Sequence, residues 1–349
     1  MSKKAIIVGW INKNKTPDCG ETVKNQLMIK GLQEKGIKCY QCDFKNWKKH
    51  PWVILELIGN MIFHRDATLI FSTTTKNIYG FLKTLKKIKW KQNIVHWVIG
   101  GTLGQRVDDK VFDASVIGYA NHTLVESKFM AEQLVKNNVR GVKQVPNFKP
   151  ISYYPNLPLK YPDNGKKLRL VFLSRIMPEK GCDYILEAAK KLNDESLQDK
   201  YEIDFYGRIA VDYENSFKEK VSTLSNVNYK GFLDLSKNEA YDQLAGYDLM
   251  LFPTYWVGEG FAGVFIDAFI SGVPIIATDW AHNKAFLEDG KDAIFIQPHD
   301  VSGIVDTIKN CIEGKYNLNK MAMECQKEAS NYSTENVITR ELLKEIEIL

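Results

Sequence analysis

The segment from residue 249 to residue 280 constrains the fold more than any other part of the chain. Its sequence is LMLFPTYWVGEGFAGVFIDAFISGVPIIATDW. The apolar run Leu249–Pro253 predicts a buried parallel strand, and the apolar spacing of Val264–Ile270 predicts a helix that Ser271-Gly272 ends. A second apolar run, Val273–Ala277, predicts the next strand. This order of strand, loop, helix and strand is typical of an α/β protein with a doubly wound parallel sheet.

The loop of this segment predicts a binding site for an anion. Gly258-Glu259-Gly260 lies between the strand and the helix, and its glycines let the backbone approach a ligand closely. At a helix start, free backbone N–H groups and the helix dipole both favour negative charge. Two acids, Glu259 and Asp267, flank the site. A carboxylate beside an anion site is suited to bind an uncharged group of the ligand that lies next to the anion. We expect this group to be the hydroxyls of a sugar.

The same residues resemble the signature of family 4 glycosyltransferases, in which two acids are separated by seven residues. Here Glu259-Gly260-Phe261 is followed by Asp267 and then by Ser271-Gly272-Val273-Pro274. Asp267 replaces the family's second glutamate, which shortens the side chain by one methylene. The resemblance implies the GT-B fold, in which two Rossmann-like domains face each other across a cleft. It also implies sugar transfer from a nucleotide-diphosphate sugar with retention of configuration, of the bacterial cell-surface polysaccharide type.

A second motif of this family begins at Ser174. The family pattern is Gly-Arg-(apolar)-x-x-x-Lys-Gly, and Arg175 and Lys180 match it, whereas Ser174 replaces the first glycine. Two cations five residues apart across a strand-to-helix turn can converge on one phosphate group. The resemblance therefore implies that Arg175 and Lys180 stabilise the leaving diphosphate, and that Glu259 completes the catalytic set. The backbone of four further residues is expected to share this stabilisation, namely Gly260, Phe261, Ala262 and Gly263.

The resemblance also assigns residues to the rest of the donor. Glu259 is expected to hold sugar hydroxyls and Asp267 the ribose. Four more candidates match places where the family meets the nucleotide, its base or the phosphates: Gly207, Arg208, Phe232 and Gly20. Many family members have a donor-binding histidine just after the strand predicted over Ile94–Ile99. His96 lies inside that strand, so a donor contact and a buried strand histidine stay as alternatives.

Length and charge predict two domains. The 349 residues suffice for two domains of ordinary size. Residues 1–150 contain 25 Lys and Arg against 11 Asp and Glu, a net charge of +14, whereas residues 151–349 contain 22 against 31, a net charge of −9. We predict an acceptor-binding Rossmann-like domain at 1–152, a linker at 153–165, and a nucleotide-sugar-binding domain at 166–331. A C-terminal helix at about 332–349 is expected to complete the first domain.

Two segments of the basic half suggest surface contacts. Phe81–Lys91 predicts a basic amphipathic helix, which suits an anionic membrane surface or, equally, a solvated outer helix. The apolar segment Trp47–Phe63 is either a core helix that begins after Pro51 or an interfacial segment. The basic half lacks a helix-turn-helix pattern or an aromatic-basic reading module, so nucleic acid is not expected as a partner.

Several other classes of protein are disfavoured. Six scattered cysteines do not form a disulfide framework, and Cys39-x-x-Cys42 lacks the further ligands of a zinc site. Lys3-Lys4 leads directly into a short strand, and no apolar run reaches membrane-spanning length. We therefore expect a cytoplasmic protein, peripheral on the inner face of the cell membrane if it binds lipid. The sequence contains no Asp-x-Asp, so a metal-bridged diphosphate is not indicated, and no cofactor is expected beyond the nucleotide-diphosphate sugar co-substrate.

Two functional hypotheses result. The first is a retaining, metal-independent glycosyltransferase that moves a hexosyl or related sugar to a glycan or polyprenyl-diphosphate-linked acceptor. The second is a catalytically silent GT-B protein that binds a nucleotide-sugar or a protein partner, for which Asp267 leaves room. An epimerase or phosphorylase of the same fold is disfavoured, because the acid pattern of the one and the pyridoxal-binding lysine region of the other are not found.

Overall fold

The computed structural model describes residues 3–349, and this range forms two compact units. Unit 1 comprises the chain up to Pro150 together with Asn331–Leu349, and unit 2 comprises Ile151–Ser330. Each unit contains a six-stranded parallel sheet within the described range. The α/β class with two doubly wound sheets, predicted from the sequence, is confirmed.

The sheet of unit 1 has the strand order β2-β1-β3-β4-β5-β6. Its strands are β1 Lys4–Gly9, β2 Lys38–Asp43, β3 Thr68–Thr73, β4 Ile94–Val98, β5 His122–Val125 and β6 Val142–Gln144. The helices between them are α1 Gly20–Glu34, α2 Trp52–Phe63, α3 Thr75–Lys87, α4 Leu103–Asp108, α5 Ala114–Ile117 and α6 Lys128–Lys136. The strands β3 and β4 are buried along their whole length, as expected for parallel strands covered on both faces.

The sheet of unit 2 has the strand order β12-β11-β10-β7-β8-β9. Its strands are β7 Leu168–Leu173, β8 Tyr201–Tyr206, β9 Val227–Gly231, β10 Leu249–Phe252, β11 Ile275–Thr278 and β12 Ala293–Ile296. Its helices are α7 Cys182–Asp194, α8 Glu214–Ser222, α9 Asn238–Ala245, α10 Gly263–Ile270, α11 Val301–Ile312 and α12 Leu318–Ala329. Short 3₁₀ turns cover Pro178–Lys180 and Asn283–Ala285.

Two apolar layers cover the sheet of unit 1. On one face, α1 packs with the C-terminal segment, through Leu32, Ile338 and Leu343 among others. On the other face, α2 and α3 share one apolar cluster, to which Leu57 and Leu82 belong. Both helices therefore lie on the same side of the sheet.

The predicted linker, residues 153–165, belongs to unit 2 and contacts it closely. The Lys160 side chain is buried, and its Nζ donates to the carbonyl oxygens of Ala245 at 2.7 Å and Tyr247 at 2.6 Å. The backbone N–H of Tyr161 donates to Asp248 Oδ1 at 2.8 Å. Acceptors that lie far away in the sequence hold this segment in place. Its composition of Pro, Tyr, Asn and Lys does not reveal these contacts.

The C-terminal segment does not form the single helix predicted over about 332–349. It forms two short helices, α13 Thr334–Val337 and α14 Arg340–Glu345, after a 3₁₀ turn over Ser330–Tyr332. Each helix has its own N-cap, because the Ser333 hydroxyl accepts from the N–H of Asn336 and the Thr339 hydroxyl accepts from the N–H of Leu342. Two N-caps six residues apart divide the segment.

Candidate active site

The candidate site lies where two neighbouring strands of unit 2 end. The loop after β7 carries Arg175 and Lys180, and the loop after β10 carries Glu259. Strands β7 and β10 are adjacent, yet the chain runs from them towards opposite edges of the sheet. Such a switch point opens a crevice at the carboxyl ends of the strands, where doubly wound proteins bind ligands.

One glycine brings the two loops into contact. Gly181 has φ +80°, and a Cβ at this position would lie 2.2 Å from the carbonyl oxygen of Pro253. The N–H of Tyr255 donates to the carbonyl of Glu179 at 2.9 Å and joins the loops further. The glycine after Lys180 therefore allows the loop after β7 to pack directly on the end of β10.

Lys180 and Glu259 form a buried ion pair. Lys180 Nζ donates to Glu259 Oε2 at 2.5 Å, and both side chains are 8% exposed. The Thr254 hydroxyl donates to the same carboxylate oxygen at 2.9 Å. Lys180 Nζ also lies 5.6 Å from the centre of the Phe252 ring. A buried pair of this kind is weak evidence for stability, since desolvation offsets its attraction, but it places a cation and a carboxylate side by side.

Arg175 is exposed and lies beside Trp256 of the loop after β10. Its guanidinium carbon is 5.9 Å from the centre of the Trp256 ring. Trp256 is held in turn, because its carbonyl oxygen accepts from Trp280 Nε1 at 2.9 Å. The end of β8 approaches the same loop at Gly207, which has φ +142° and where a Cβ would lie 1.7 Å from the carbonyl of Ser174. This position requires glycine.

Helix α10 begins beside the ion pair. Its N-cap residue is Ala262, whose methyl group cannot accept a hydrogen bond from the first turn. Phe261 is buried, and its ring stacks on Phe286 with 4.0 Å between ring centroids. This stacking fixes the entry to the helix, so that the N–H groups of its first turn keep a defined direction.

Asp267 lies inside the unit, on α10. It is 3% exposed, and the Tyr241 hydroxyl donates to its Oδ1 at 3.0 Å. Burial, with the neighbouring Asp267 carboxylate, raises the pKa of Tyr241 above its ordinary value, so that the hydroxyl keeps its proton. The shorter acid is therefore already bonded within the protein, which the sequence pattern does not reveal.

The other predicted donor residues are spread more widely. The Arg208 side chain is exposed, while its carbonyl accepts from the N–H of Ile176 at 2.9 Å beside Arg175. Phe232 follows β9 and is 72% exposed. Gly20 begins α1 and lies in unit 1. His96 is fully buried in β4, which lowers its pKa to about 3, as expected for a strand histidine.

Sequence reasoning missed two residues of the site: Thr254 and Tyr241. Thr254 lies two residues after β10, at the strand end where ligands bind, and this position was an available signal. Tyr241 lies on α9, and its contact with Asp267 depends on how α9 packs on α10. No local sequence pattern indicates that contact.

A cavity of about 530 Å³ marks the corresponding place in unit 1. Its walls include Trp10 after β1 and Thr73 at the end of β3. These two strands are adjacent, and the chain continues from them towards opposite edges of the sheet. The lining is mainly apolar, with contributions from Phe44, Trp47, Ile54, Phe71, Ile78 and Phe81. Lys48 and Lys49 also line it. The topology of unit 1 thus places an apolar cavity at its own switch point.

Neither a metal-binding cluster nor a helix that could span a membrane occurs in the part of the chain that the structure describes. Residues 3–349 include no group of three His, Cys, Asp or Glu side chains placed to bind a metal ion. Within the same residues, no helix is both long enough and apolar enough to span a bilayer. Burial raises the pKa of the Cys42 thiol to about 11, which disfavours the thiolate that zinc or redox chemistry needs.

Comparisons with known proteins point to one class. Residues 167–314 match the family described as Glycosyl transferases group 1. A Klebsiella pneumoniae protein described as an uncharacterized 41.2 kDa protein in cps region is 30% identical over 167 residues, 48% of this chain and 42% of that protein. The 2-deoxystreptamine N-acetyl-D-glucosaminyltransferase of Niallia circulans is 34% identical over 143 residues, 41% of this chain and 35% of that enzyme. The matches thus span less than half of these relatives.

The fold has solved counterparts. The structure of Anabaena HepE in complex with UDP aligns with a TM-score of 0.71 at 13% identity, over 99% of this chain and 100% of that one. HepE has also been solved in complex with UDP-glucose. These neighbours show the GT-B fold, and the family match shows that residues 167–314 are similar to group 1 glycosyl transferases.

Proposed function

We propose that this protein transfers a hexosyl or related sugar from a nucleotide-diphosphate sugar to a glycan or lipid-linked glycan in cell-surface polysaccharide synthesis. The anomeric configuration is retained, as in family 4. The family match over residues 167–314 supports the sugar transfer. The relative described as lying in a cps region supports a polysaccharide context.

The buried pair of Lys180 and Glu259 carries this proposal. Sugar transfer builds negative charge on the departing diphosphate, and preorganised cations and N–H groups lower the barrier by stabilising it. Lys180 and the first turn of α10 supply both kinds of group at one place. The carboxylate beside Lys180 is then positioned to accept hydrogen bonds from hydroxyls of the sugar that carries the diphosphate.

Arg175, which is exposed beside Trp256, would add a second cation. A planar guanidinium can bind two phosphate oxygens at once, whereas Lys180 acts as a single charge. Two cations can thus neutralise the leaving group without a bridging metal ion, which is why we propose metal-independent transfer. Asp267 would bind the ribose in an orientation that the Tyr241 hydroxyl sets. Gly207, Arg208 and Phe232 would line the nucleotide.

The acceptor side is proposed for unit 1. The cavity between the ends of β1 and β3 is lined mainly by apolar side chains and by Lys48 and Lys49. Apolar walls with basic residues suit a molecule that joins a hydrocarbon chain to a phosphate group, which favours a lipid-linked acceptor. Gly20 lies at the start of α1 in the same unit. The protein would work in the cytoplasm at the inner face of the membrane, with the lysines of Phe81–Lys91 facing anionic lipid.

A panel of nucleotide-diphosphate sugars tests the proposal. One donor should raise the melting temperature of the wild type, since a ligand that binds the folded state stabilises it. Turnover of that donor with lipid-linked acceptors, and the anomeric configuration of the product by NMR, then report the reaction. Glu259→Ala should abolish turnover, whereas the control Glu187→Ala, which removes an exposed carboxylate of the same unit, should not.

The outcomes separate the two functional hypotheses. Donor binding without turnover in any acceptor assay would favour the catalytically silent protein. An inverted product would contradict the retaining mechanism while leaving the donor site in place. Equal turnover by wild type and Glu259→Ala would remove the proposed role of that carboxylate.

A further inference from the structure

Helix α2 exposes large apolar side chains to solvent. Trp52 is 70% exposed, Leu55 69% and Phe63 81%, and Ile58 and Ile62 are also exposed. On the solvent-facing side of a surface helix, such positions normally carry polar or charged residues. Contiguous exposed apolar surface of this kind marks an interaction site.

The exposure follows from the sequence of the helix. Val53, Leu57 and Met61 recur every four residues and form the face that is buried in unit 1. The remaining positions would form a solvated face, yet Glu56 is the one charged residue between Trp52 and Phe63. The helix is therefore apolar around most of its circumference, and the fold covers one side of it.

Positive charge surrounds this apolar face. Helix α3 packs on the same side of the sheet, and Lys83 and Lys87 on its outer side are exposed. Lys48 and Lys49, which are also exposed, lie in the turn before α2. Residues 1–150 as a whole carry a net charge of +14, and the four exposed lysines make the surface beside α2 complementary to a negatively charged surface.

We propose that α2 lies in the headgroup region of an anionic lipid bilayer, with its exposed apolar side chains inserted between the lipids. Twelve residues of helix measure about 18 Å, too short to cross a bilayer and suited to lying in its plane. An apolar face with basic neighbours matches a bilayer, which offers hydrocarbon below negative charge.

This proposal moves the membrane contact from α3 to α2. The sequence suggests a contact through Phe81–Lys91, but the structure buries Leu82 and Leu85, and the helix ends at Lys87. Helix α3 therefore contributes charge to the surface and no inserted side chain. Binding through α2 does not depend on the chemistry proposed for unit 2.

Vesicle flotation of the full chain tests the proposal. We expect the wild type to float with vesicles of phosphatidylcholine and phosphatidylglycerol, and to bind vesicles of phosphatidylcholine alone less well. Leu55→Gln combined with Ile62→Gln should weaken binding roughly tenfold or more, because two inserted aliphatic side chains are lost. The matched control is Val111→Gln with Val135→Gln, which replaces exposed apolar residues elsewhere in unit 1 and should bind like the wild type.

A second pair of substitutions tests the charge. Lys83→Gln with Lys87→Gln should weaken binding to the anionic vesicles and reduce its dependence on salt. Thermal melts check that each variant is folded, and quenching of wild-type tryptophan fluorescence by brominated lipids gives an independent readout of insertion. Donor hydrolysis in lipid-free buffer should be unchanged in the Leu55 and Ile62 variant.

Three results would overturn the proposal. The wild type could fail to bind anionic vesicles, or the α2 variant and its control could bind equally well. The wild type could also prove to be a dimer in light scattering that the α2 substitutions dissociate, without any vesicle binding. In that case a second copy of the chain, and not lipid, covers the face.

Discussion

The two units share an architecture but differ at the switch point of the sheet, where the chain continues from two adjacent strands towards opposite edges. In unit 1 this point lies between β1 and β3, and in unit 2 it lies between β7 and β10. Unit 2 places the buried pair of Lys180 and Glu259 there, next to a helix start. Unit 1 places a mainly apolar cavity of about 530 Å³ at the equivalent position.

This difference teaches where function can be found in a sequence. A site for a diphosphate and sugar hydroxyls, as proposed for unit 2, needs specific charged groups in fixed positions, and such a site would leave short motifs like those around Lys180 and Glu259. An apolar ligand or a lipid surface needs shape and exposed area, which many residue combinations provide. Unit 1 accordingly shows its features only once the chain is folded.

The largest expected effect compares two buried ion pairs, one in each unit. Lys24 Nζ lies 2.6 Å from Glu126 Oε1 in unit 1, and both side chains are almost fully buried, like Lys180 and Glu259 in unit 2. Lys180→Ala and Lys24→Ala should each lower the free energy of unfolding by about 3 kcal/mol, since each removes the cation beside a buried carboxylate. Only Lys180→Ala should also lower kcat/KM for the donor, by roughly 100- to 1,000-fold.

Chemical denaturation and steady-state kinetics on the folded fraction check this prediction. Conservative replacement by arginine at each position tests whether charge alone is sufficient. If Lys24→Ala reduced donor turnover as strongly as Lys180→Ala, the assignment of donor chemistry to unit 2 would be wrong.

The sequence predicted which residues form the candidate site of unit 2 better than it predicted the contacts between them. Lys180 and Glu259 each stand out because they follow predicted strands within recognisable patterns. Their contact depends on Gly181 lying against Pro253, a packing relation between distant segments. The bond between Tyr241 and Asp267 has the same origin, since it joins two helices that the chain connects through a strand.

The fold was predictable where periodicity and caps are local. The strand predicted over Leu249–Pro253 covers Leu249–Phe252, and the helix predicted over Val264–Ile270 covers Gly263–Ile270. Apolar periodicity could not show which side of α2 is covered, because apolar residues surround most of that helix. The C-terminal division was missed because the caps at Ser333 and Thr339 interrupt a pattern that otherwise suits one helix.

A smaller effect tests how completely water is excluded from the interior of unit 1. His96 lies within β4, and burial lowers its pKa to about 3, against about 6.5 for an unfolded chain. Below pH 6.5 the unfolded state binds a proton that the folded state does not, so stability must fall as the pH falls. Between pH 6.5 and pH 5 this amounts to roughly 2 kcal/mol.

Urea unfolding of wild type and His96→Leu at several pH values measures this contribution. The stability of the wild type relative to the variant should decrease over that range, because leucine does not titrate. NMR of the imidazole gives a direct check. A His96 that becomes protonated near pH 6.5 would show a solvated interior at this strand, and the contrast between the two units would weaken.

The smallest expected effect concerns the replacement of the family glutamate in unit 2. Tyr241→Phe removes the hydroxyl that donates to Asp267 at 3.0 Å and leaves the ring in place. Because such a bond contributes about 1 kcal/mol, KM for the donor should rise roughly fivefold with kcat nearly unchanged, if Asp267 binds the ribose. Tyr153→Phe is the matched control, since its hydroxyl bonds the exposed Asp242 of the same unit at 2.5 Å. An unchanged KM in Tyr241→Phe would mean that Asp267 needs no positioning, and the shorter acid would then serve the packing of α10 and not the nucleotide.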